Sequence, residues 1–304
     1  MLGIVIVDSV IIIVIFIVEM FKDIGKDADR LLEDGYSYVN KLEIKTTNKS
    51  NVVIVGEGEI ATNGKGVQSS IAASYVGNSF ILDKLRVKSD GRILMEAALR
   101  TSSISKFTVS AEDGRQEPGK PLHSFGKLGC ELLFPKVSLT ADIDVINGPL
   151  IKTTTLYKYN DNISFGGEAI INSHLEDKGL YPEISNFNIG FTYKGPDWII
   201  GTKTNDLLST IRVSYLHNMS SNLCAASRLD YSLKSNYQKL TFGGKMVLDE
   251  KSSVKAKIDS NALIAASYQQ QLSKICKMSV NAEVDAYGWT SDSHKFGINL
   301  QFDS

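Results

Sequence analysis

From residue 40 onward, apolar and polar side chains alternate one by one in segment after segment of about ten residues. Val137, Leu139, Ala141, Ile143 and Val145 oppose Ser138, Thr140, Asp142 and Asp144. Phe187, Ile189, Phe191 and Tyr193 oppose Asn188, Gly190, Thr192 and Lys194, and Met278, Val280, Ala282, Val284 and Ala286 oppose Lys277, Ser279, Asn281, Glu283 and Asp285. A period of two predicts strands with one apolar face. The pattern yields about nineteen of them, with short breaks at Asn63-Gly64, Asp90-Gly91, Asn147-Gly148-Pro149, Gly195-Pro196 and Asp249-Glu250. No run of helices follows that could cover a sheet, and no Pro/Ser-rich linker divides the chain into two sandwiches. Ten residues at about 3.3 Å each, tilted near 45°, reach about 24 Å, the height of the apolar band of a membrane barrel. The expectation is therefore all-β: a single transmembrane β-barrel of about nineteen strands over residues 40–304, with a short N-terminal amphipathic helix. An odd count makes the first and last strands run the same way, so closure requires one parallel pair. A barrel of this size leaves an aqueous channel.

Residues 21–35 carry the one good helical pattern. Phe21, Ile24, Ala28, Leu31 and Leu32 share a face, Lys22, Asp23, Lys26, Asp29, Arg30 and Glu33 cover the rest, and Gly35 stands as a stop. Residues 20–39 are expected as a helix and hinge inside the pore, either a gate whose charges are Lys22, Asp23, Lys26, Asp29 and Arg30 or a brace for the wall. Residues 1–19 form a hydrophobic extension with Val10–Val18 unbroken, interrupted by Asp8 and ended by Glu19. It has no basic leader and no small-residue cleavage site. Three readings stay open: a membrane anchor, a targeting segment, or a non-native start upstream of Met20.

Net charge is −1, so no polyanionic partner is implied and nucleic-acid binding is not required. The 43% hydrophobic content suits a barrel in which only alternate residues meet lipid. Cys130, Cys224 and Cys276 are scattered and read as packing residues, and the four histidines show no ligand spacing. Gly56-Glu57-Gly58 lacks the rest of a nucleotide fingerprint and reads as a spot needing small residues. There is no phosphate loop, zinc motif or nucleophile elbow. An enzyme, a cofactor and a metal are not expected.

If the apolar rows face lipid, the opposing residues line water. The basic candidates are Lys194, Arg212, Arg228, Lys245, Lys255, Lys257, Lys277 and Lys295, and the acidic ones Asp142, Asp144, Asp230, Asp259, Glu283 and Asp285. This slight cationic excess, screened over about 8 Å at physiological salt, predicts mild anion preference.

The last strand reads Lys295, Gly297, Leu300, Phe302, a polar residue, a glycine and two alternating hydrophobes. It resembles the signal by which mitochondrial outer-membrane barrels are recognised by their insertion machinery. The stretch DEKSSVKAKIDSNALIAASY at 249–268 resembles the signature of the eukaryotic porins, the voltage-dependent anion channels. Asp249, Ser252, Ala256, Lys257, Ile258, Asp259, Ser260, Ala265, Ala266 and Tyr268 carry the likeness, and the wording is closest to plant-type members. Met246 and Glu250 depart from it. Ile24-Gly25-Lys26, Ala28, Gly35-Tyr36 and the ending GINLQF fit as well. The resemblance implies a nineteen-stranded channel of the mitochondrial outer membrane, voltage-dependent and weakly anion-selective, passing small anions and metabolites such as nucleotides. It implies membrane lipid and the barrel-insertion machinery as partners, and is compatible with a homo-oligomer. The alternatives are a protein-translocating barrel and a non-conducting docking barrel. Departures fall in the helix. Asp29-Arg30 reverses the usual order of charges, Asp34 replaces a frequent basic residue, and Ser37, Tyr38 and Val39 replace hinge glycines. These bear on gating strength and on nucleotide contact at the helix.

Overall fold

The computed structural model describes residues 2–7, 10–15, 19–48, 50–60, 66–113, 124–146, 148–176, 179–288 and 294–303. Two short strands, β1 (Leu2–Val7) and β2 (Val10–Ile15), pair with each other apart from the main sheet. The first half of the main sheet comprises β3 (Asn40–Thr47), β4 (Val52–Ile60), β5 (Val67–Val76), β6 (Phe80–Lys88), β7 (Ile93–Arg100), β8 (Ser105–Asp113), β9 (Phe125–Leu133), β10 (Val137–Asp144) and β11 (Leu150–Lys158). It continues through β12 (Ile163–Glu176), β13 (Gly179–Lys194), β14 (Trp198–Asn205), β15 (Thr210–Asn218), β16 (Leu223–Ser232) and β17 (Tyr237–Asp249). The last four are β18 (Ser252–Asp259), β19 (Leu263–Gln271), β20 (Cys276–Asp285) and β21 (Lys295–Asp303). Successive strands pair antiparallel, and the nineteen strands β3 to β21 close into one barrel. The closing pair is parallel, with Asn299 opposite Lys41 and Asp303 opposite Lys45. The odd-count argument required this pair.

The two faces follow the alternation in the sequence. Ile189, Phe191, Leu229, Phe242, Ile258, Ile264, Phe296 and Ile298 are exposed on the outside, while Asn188, Thr192, Arg228, Thr241 and Asn281, one residue out of phase, are buried on the inside. A soluble barrel would reverse this order, so the outer surface is matched to lipid. Aromatic rings gather outside, near the turn that follows β13. Tyr193 stacks on Trp198 at 5.1 Å between ring centroids, and Tyr215 lies 6.4 Å from Trp198. Such rings favour the headgroup level of a bilayer. No helix among the described residues is long and apolar enough to cross a membrane.

Two sequence expectations change. The helical pattern at 21–35 forms two pieces, a 3-10 turn at Phe21–Asp23 and an α-helix, α1 (Lys26–Leu32), because Gly25 takes φ +75 between them. Gly56 and Gly58 are not sterically required. They share the outward face with Ile54 and Ile60, and an added Cβ would meet nothing within 4 Å. The predicted turn at Asp90-Gly91 forms, with Gly91 at φ +84 and its N–H donating to Lys88 O over 3.0 Å. The breaks at Asn63-Gly64 and at Asn147 lie outside the described residues.

A charge on the outer face near mid-height should be costly. Phe242→Arg is expected to destabilise the folded barrel in lipid by about 2–4 kcal/mol, read from reversible urea unfolding in vesicles. Thr241→Ser, one residue away on the inner face, should change it by less than about 1 kcal/mol.

Candidate functional site

Residues 19–39 run along the inside of the wall. Asp23 organises the start: its Oδ2 accepts Met20 N–H at 3.0 Å and its Oδ1 accepts from Lys26 Nζ at 2.8 Å. The apolar stripe then meets the barrel. Phe21 and Ile24 pack with Leu156, while Ala28, Leu31 and Leu32 pack with Ala226 and, beside it, Leu216 and Cys224. Phe21 and Leu32 are essentially fully buried. Inward glycines make room for this contact. A Cβ on Gly201 would stand 2.7 Å from Gly25 N, and one on Gly243 would stand 2.7 Å from Leu32 Cδ2. Past the helix, Gly35 (φ +84) turns the chain toward β3. Its carbonyl accepts from Ser267 Oγ at 3.0 Å, and Ser37 O accepts from Asn281 Nδ2 at 2.9 Å.

Wall cations follow the segment along its length. Lys194 pairs with Glu19. Lys22 reaches Glu131 at 3.6 Å, a contact in which the segment supplies the cation. Lys203 Nζ lies 4.9 Å from the Phe21 ring centre. Arg228 donates to Asp29 at 2.9 Å and to Glu33, and its Nε lies 3.1 Å from Asp230. Arg212 donates to Asp230 at 2.6 Å and lies 3.8 Å from Asp29. Lys255 donates to Asp34 O at 3.2 Å. Lys257 and Lys295 sit over the rings of Tyr36 and Tyr38, at 4.4 and 5.7 Å. A cation over an aromatic face is weakly held where water reaches it, whereas a desolvated guanidinium–carboxylate pair is held strongly.

Other named charges stand on the same inner face. Lys245 lies directly opposite Lys255 across β17 and β18. Lys277 is near them on β20, opposite Gln271 and Gln301. Asp259 pairs with Lys239 at 2.8 Å and Glu283 with Lys295 at 2.7 Å. Asp142 is opposite Lys152. Asp144 Oδ1 accepts from Ile146 N at 3.1 Å, and Asp285 Oδ1 accepts from Tyr287 N at 3.0 Å. Of the helix charges, Asp29 is held by the wall, Asp23 and Lys26 pair with each other, and Arg30 lies 3.9 Å from Asp27. Gly297 faces inward, where a Cβ would stand 2.6 Å from Ser37 O, so this position has a packing reason to be glycine. Leu300 and Phe302 lie on the opposite face, across from Met278 and Cys276.

Several lumenal charges escaped the sequence reading. Glu168 binds Lys152 at 2.7 Å and Asn188 at 3.0 Å, and Glu57 binds Lys41 at 3.4 Å and Arg86 at 3.1 Å. Lys203 was missed too. Several of these sit on strands that alternate poorly: β11, with Lys152, carries threonine on both faces, β14, with Lys203, places Ile199 beside Ile200, β6, with Arg86, has a bulge at Leu82/Lys84, and β12, with Glu168, shifts register at Ile170/Ile171. A bulge reverses the parity on which inside–outside assignment rests.

The pattern of the eukaryotic porin family matches residues 19–297. The voltage-dependent anion-selective channel of Drosophila melanogaster is 23% identical over 287 residues, covering 93% of this chain and 98% of that protein. Mitochondrial outer membrane protein porin 2 of Arabidopsis thaliana is 24% identical over 289 residues, 92% of this chain and 96% of that protein. The mitochondrial outer membrane porin of Candida albicans is 22% identical over 288 residues, 93% and 98% respectively.

Filling the contact at Gly201 should loosen the segment. Gly201→Val is expected to disfavour docking by about 1–3 kcal/mol, as overpacking does. The measurement is tryptic cleavage after Lys26 and Arg30 in the folded protein, which should accelerate while the barrel strands stay intact.

Proposed function

The chain belongs to the eukaryotic porin family, and on that premise we propose that it is a voltage-dependent, weakly anion-selective channel of the mitochondrial outer membrane. It passes small ions and metabolites such as nucleotides. The observation that carries this reading is the two-faced closed wall, apolar outside and charged inside, around a lumen that the segment 19–39 narrows along one arc. Ions pass a wide pore with much of their hydration, so the summed field of the wall sets preference.

The residues divide by role. Lys194, Arg212, Arg228, Lys245, Lys255, Lys257 and Lys277 supply positive wall charge, against Asp142, Asp144, Asp230, Glu283 and Asp285. Much of the positive set is offset by Glu19, Asp29 and Glu33 of the segment. That offset supports a weak preference. The Lys245–Lys255–Lys277 group carries the least compensation and is the proposed seat of anion preference. The segment is the gating element, with Lys22, Asp23, Lys26, Asp29 and Arg30 as charges that sense the transmembrane field. The barrel domain is 40–304, and of the hydrophobic extension 1–19 only its last residue, Glu19, takes part in this scheme, through its pairing with Lys194. Lys295, Gly297, Leu300 and Phe302 form the proposed signal for the outer-membrane insertion machinery, and homo-oligomers would form through the outer face. A protein-translocating barrel is disfavoured by the family match, and a non-conducting docking barrel has no observation in its favour.

Planar-bilayer recording under a salt gradient should give a reversal potential on the anion side. Lys245→Glu combined with Lys277→Glu should move it to the cation side, and clear cation preference of the unaltered protein would refute the assignment. Deleting residues 19–37 should flatten the dependence of conductance on voltage while leaving a conducting barrel. Unchanged voltage dependence would make the segment a brace only.

A further inference from the structure

Asp29 and Glu33 are one helical turn apart and both carboxylates reach Arg228. Arg212 shares Asp29 and, with Arg228, shares Asp230. Two guanidiniums on neighbouring strands thus meet three carboxylates, of which one belongs to the wall and two to the segment. Arg228 is only 10% exposed at its side chain because α1 lies over it. We propose that Arg212 and Arg228 form an autoinhibited polyanion site: a molecule of the polyphosphate class binds the two guanidiniums, and Asp29 and Glu33 occupy them in its absence. The inference rests on the porin reading, since it needs a lumen that anions enter.

The chemistry favours this class of ligand. A guanidinium presents a planar fork of donors that fits phosphate oxygens as it fits carboxylate oxygens. A replacement for both helix carboxylates must carry at least two negative charges on one body. It must also bind against the repulsion of Asp230, which stays paired with both arginines, so it needs several oxygens that engage both guanidiniums at once, which a single halide does not have. The segment's other ties fit an exchangeable occupant. Lys203 and Lys257 are committed to ring faces, so undocking of Phe21 and Tyr36 frees two more cations beside the arginines. The same donors cannot serve helix and ligand together, so polyanion binding and docking exclude each other. A ligand shifts that equilibrium by its difference in affinity for the two states. Metabolite anions of this class would then release the segment rather than merely pass it.

Cys224 offers the readout. It packs against α1 on the inner face, while Cys130 and Cys276 lie on the outer face, opposite Phe107 and Phe302 respectively. The full chain carrying Cys130→Ser and Cys276→Ser is reconstituted in neutral vesicles. The rate of Cys224 modification by a water-soluble cationic thiosulfonate is measured with inorganic tripolyphosphate, and with sodium chloride at equal ionic strength. Tripolyphosphate should accelerate modification in a saturable way and chloride should not. Asp29→Asn with Glu33→Gln should raise the basal rate and lower the half-saturating tripolyphosphate concentration by about tenfold or more, as expected for loss of a charge-assisted competitor. Arg228→Gln should raise the basal rate and abolish the response. If that variant does not fold, Arg212→Gln, whose side chain is less buried, carries the same expectation. Equal rates in tripolyphosphate and chloride, or an acid-to-amide variant with unchanged half-saturation, would overturn the site. Conductance of the same vesicles separates the two readings: a conducting barrel without the response sinks only this inference, whereas a non-conducting one sinks the porin assignment.

Discussion

In a hydrocarbon layer a backbone N–H or C=O without a partner costs several kcal/mol, and no water is present to supply one. Each strand of this chain must therefore have a neighbour on both sides, and the ring must close. Closure determines the remaining architecture. It fixes alternate residues to opposite media, sets the lumen width by strand number, and joins β21 to β3 in parallel because nineteen is odd. Once the ring exists, charged side chains buried on its inner face, such as Arg228 and Glu168, occupy positions where oppositely charged partners meet them.

The inner segment depends on that ring in a different way. Its shape fit comes from absent side chains, at Gly190, Gly201, Gly243 and Gly297. Its polar ties are mostly wall cations directed at carboxylates, a carbonyl and ring faces. Apolar burial of Phe21 and Leu32 holds the segment without reference to salt, whereas the ionic ties are graded by ionic strength. A mixed attachment of this kind joins a part insensitive to salt to a part that salt screens. The reversed order Asp29-Arg30 matters here, because it turns a carboxylate toward two arginines where a basic residue would have repelled them.

The barrel was largely legible in the sequence because lipid on one side and water on the other impose a strict period of two. Strands such as β10, β20 and β21 obey it without interruption, and β13 does so from Phe187 onward, past the register shift opposite Ile170 and Ile171, so their facing residues were readable from the sequence. Assignment failed where parity is not conserved, at the bulges of β5 and β6, and where threonine or glycine reads as either face, in β11 and β4. The apolar stripe of the helix was readable from its spacing. The kink was not, because Ile24-Gly25 continues the pattern of residues while Gly25 departs from helical φ to approach Gly201. The pairing of Asp29 and Glu33 with Arg212 and Arg228 spans nearly two hundred residues of sequence (199 for Asp29 and Arg228), and nothing local announces it.

The parallel seam has a kinetic consequence. Asn40 and Ile298 meet across 258 residues, whereas most neighbouring strands meet across a short turn. Hairpins can zip early at little entropic expense, but the seam gains nothing until almost the whole polypeptide has been threaded into the bilayer. Until that moment β3 and β21 are bare edges, each open to pairing with a foreign strand. Closing the ring thus rests on its least local ladder, and whatever shields those two edges in the interim favours a sealed cylinder over an aggregate.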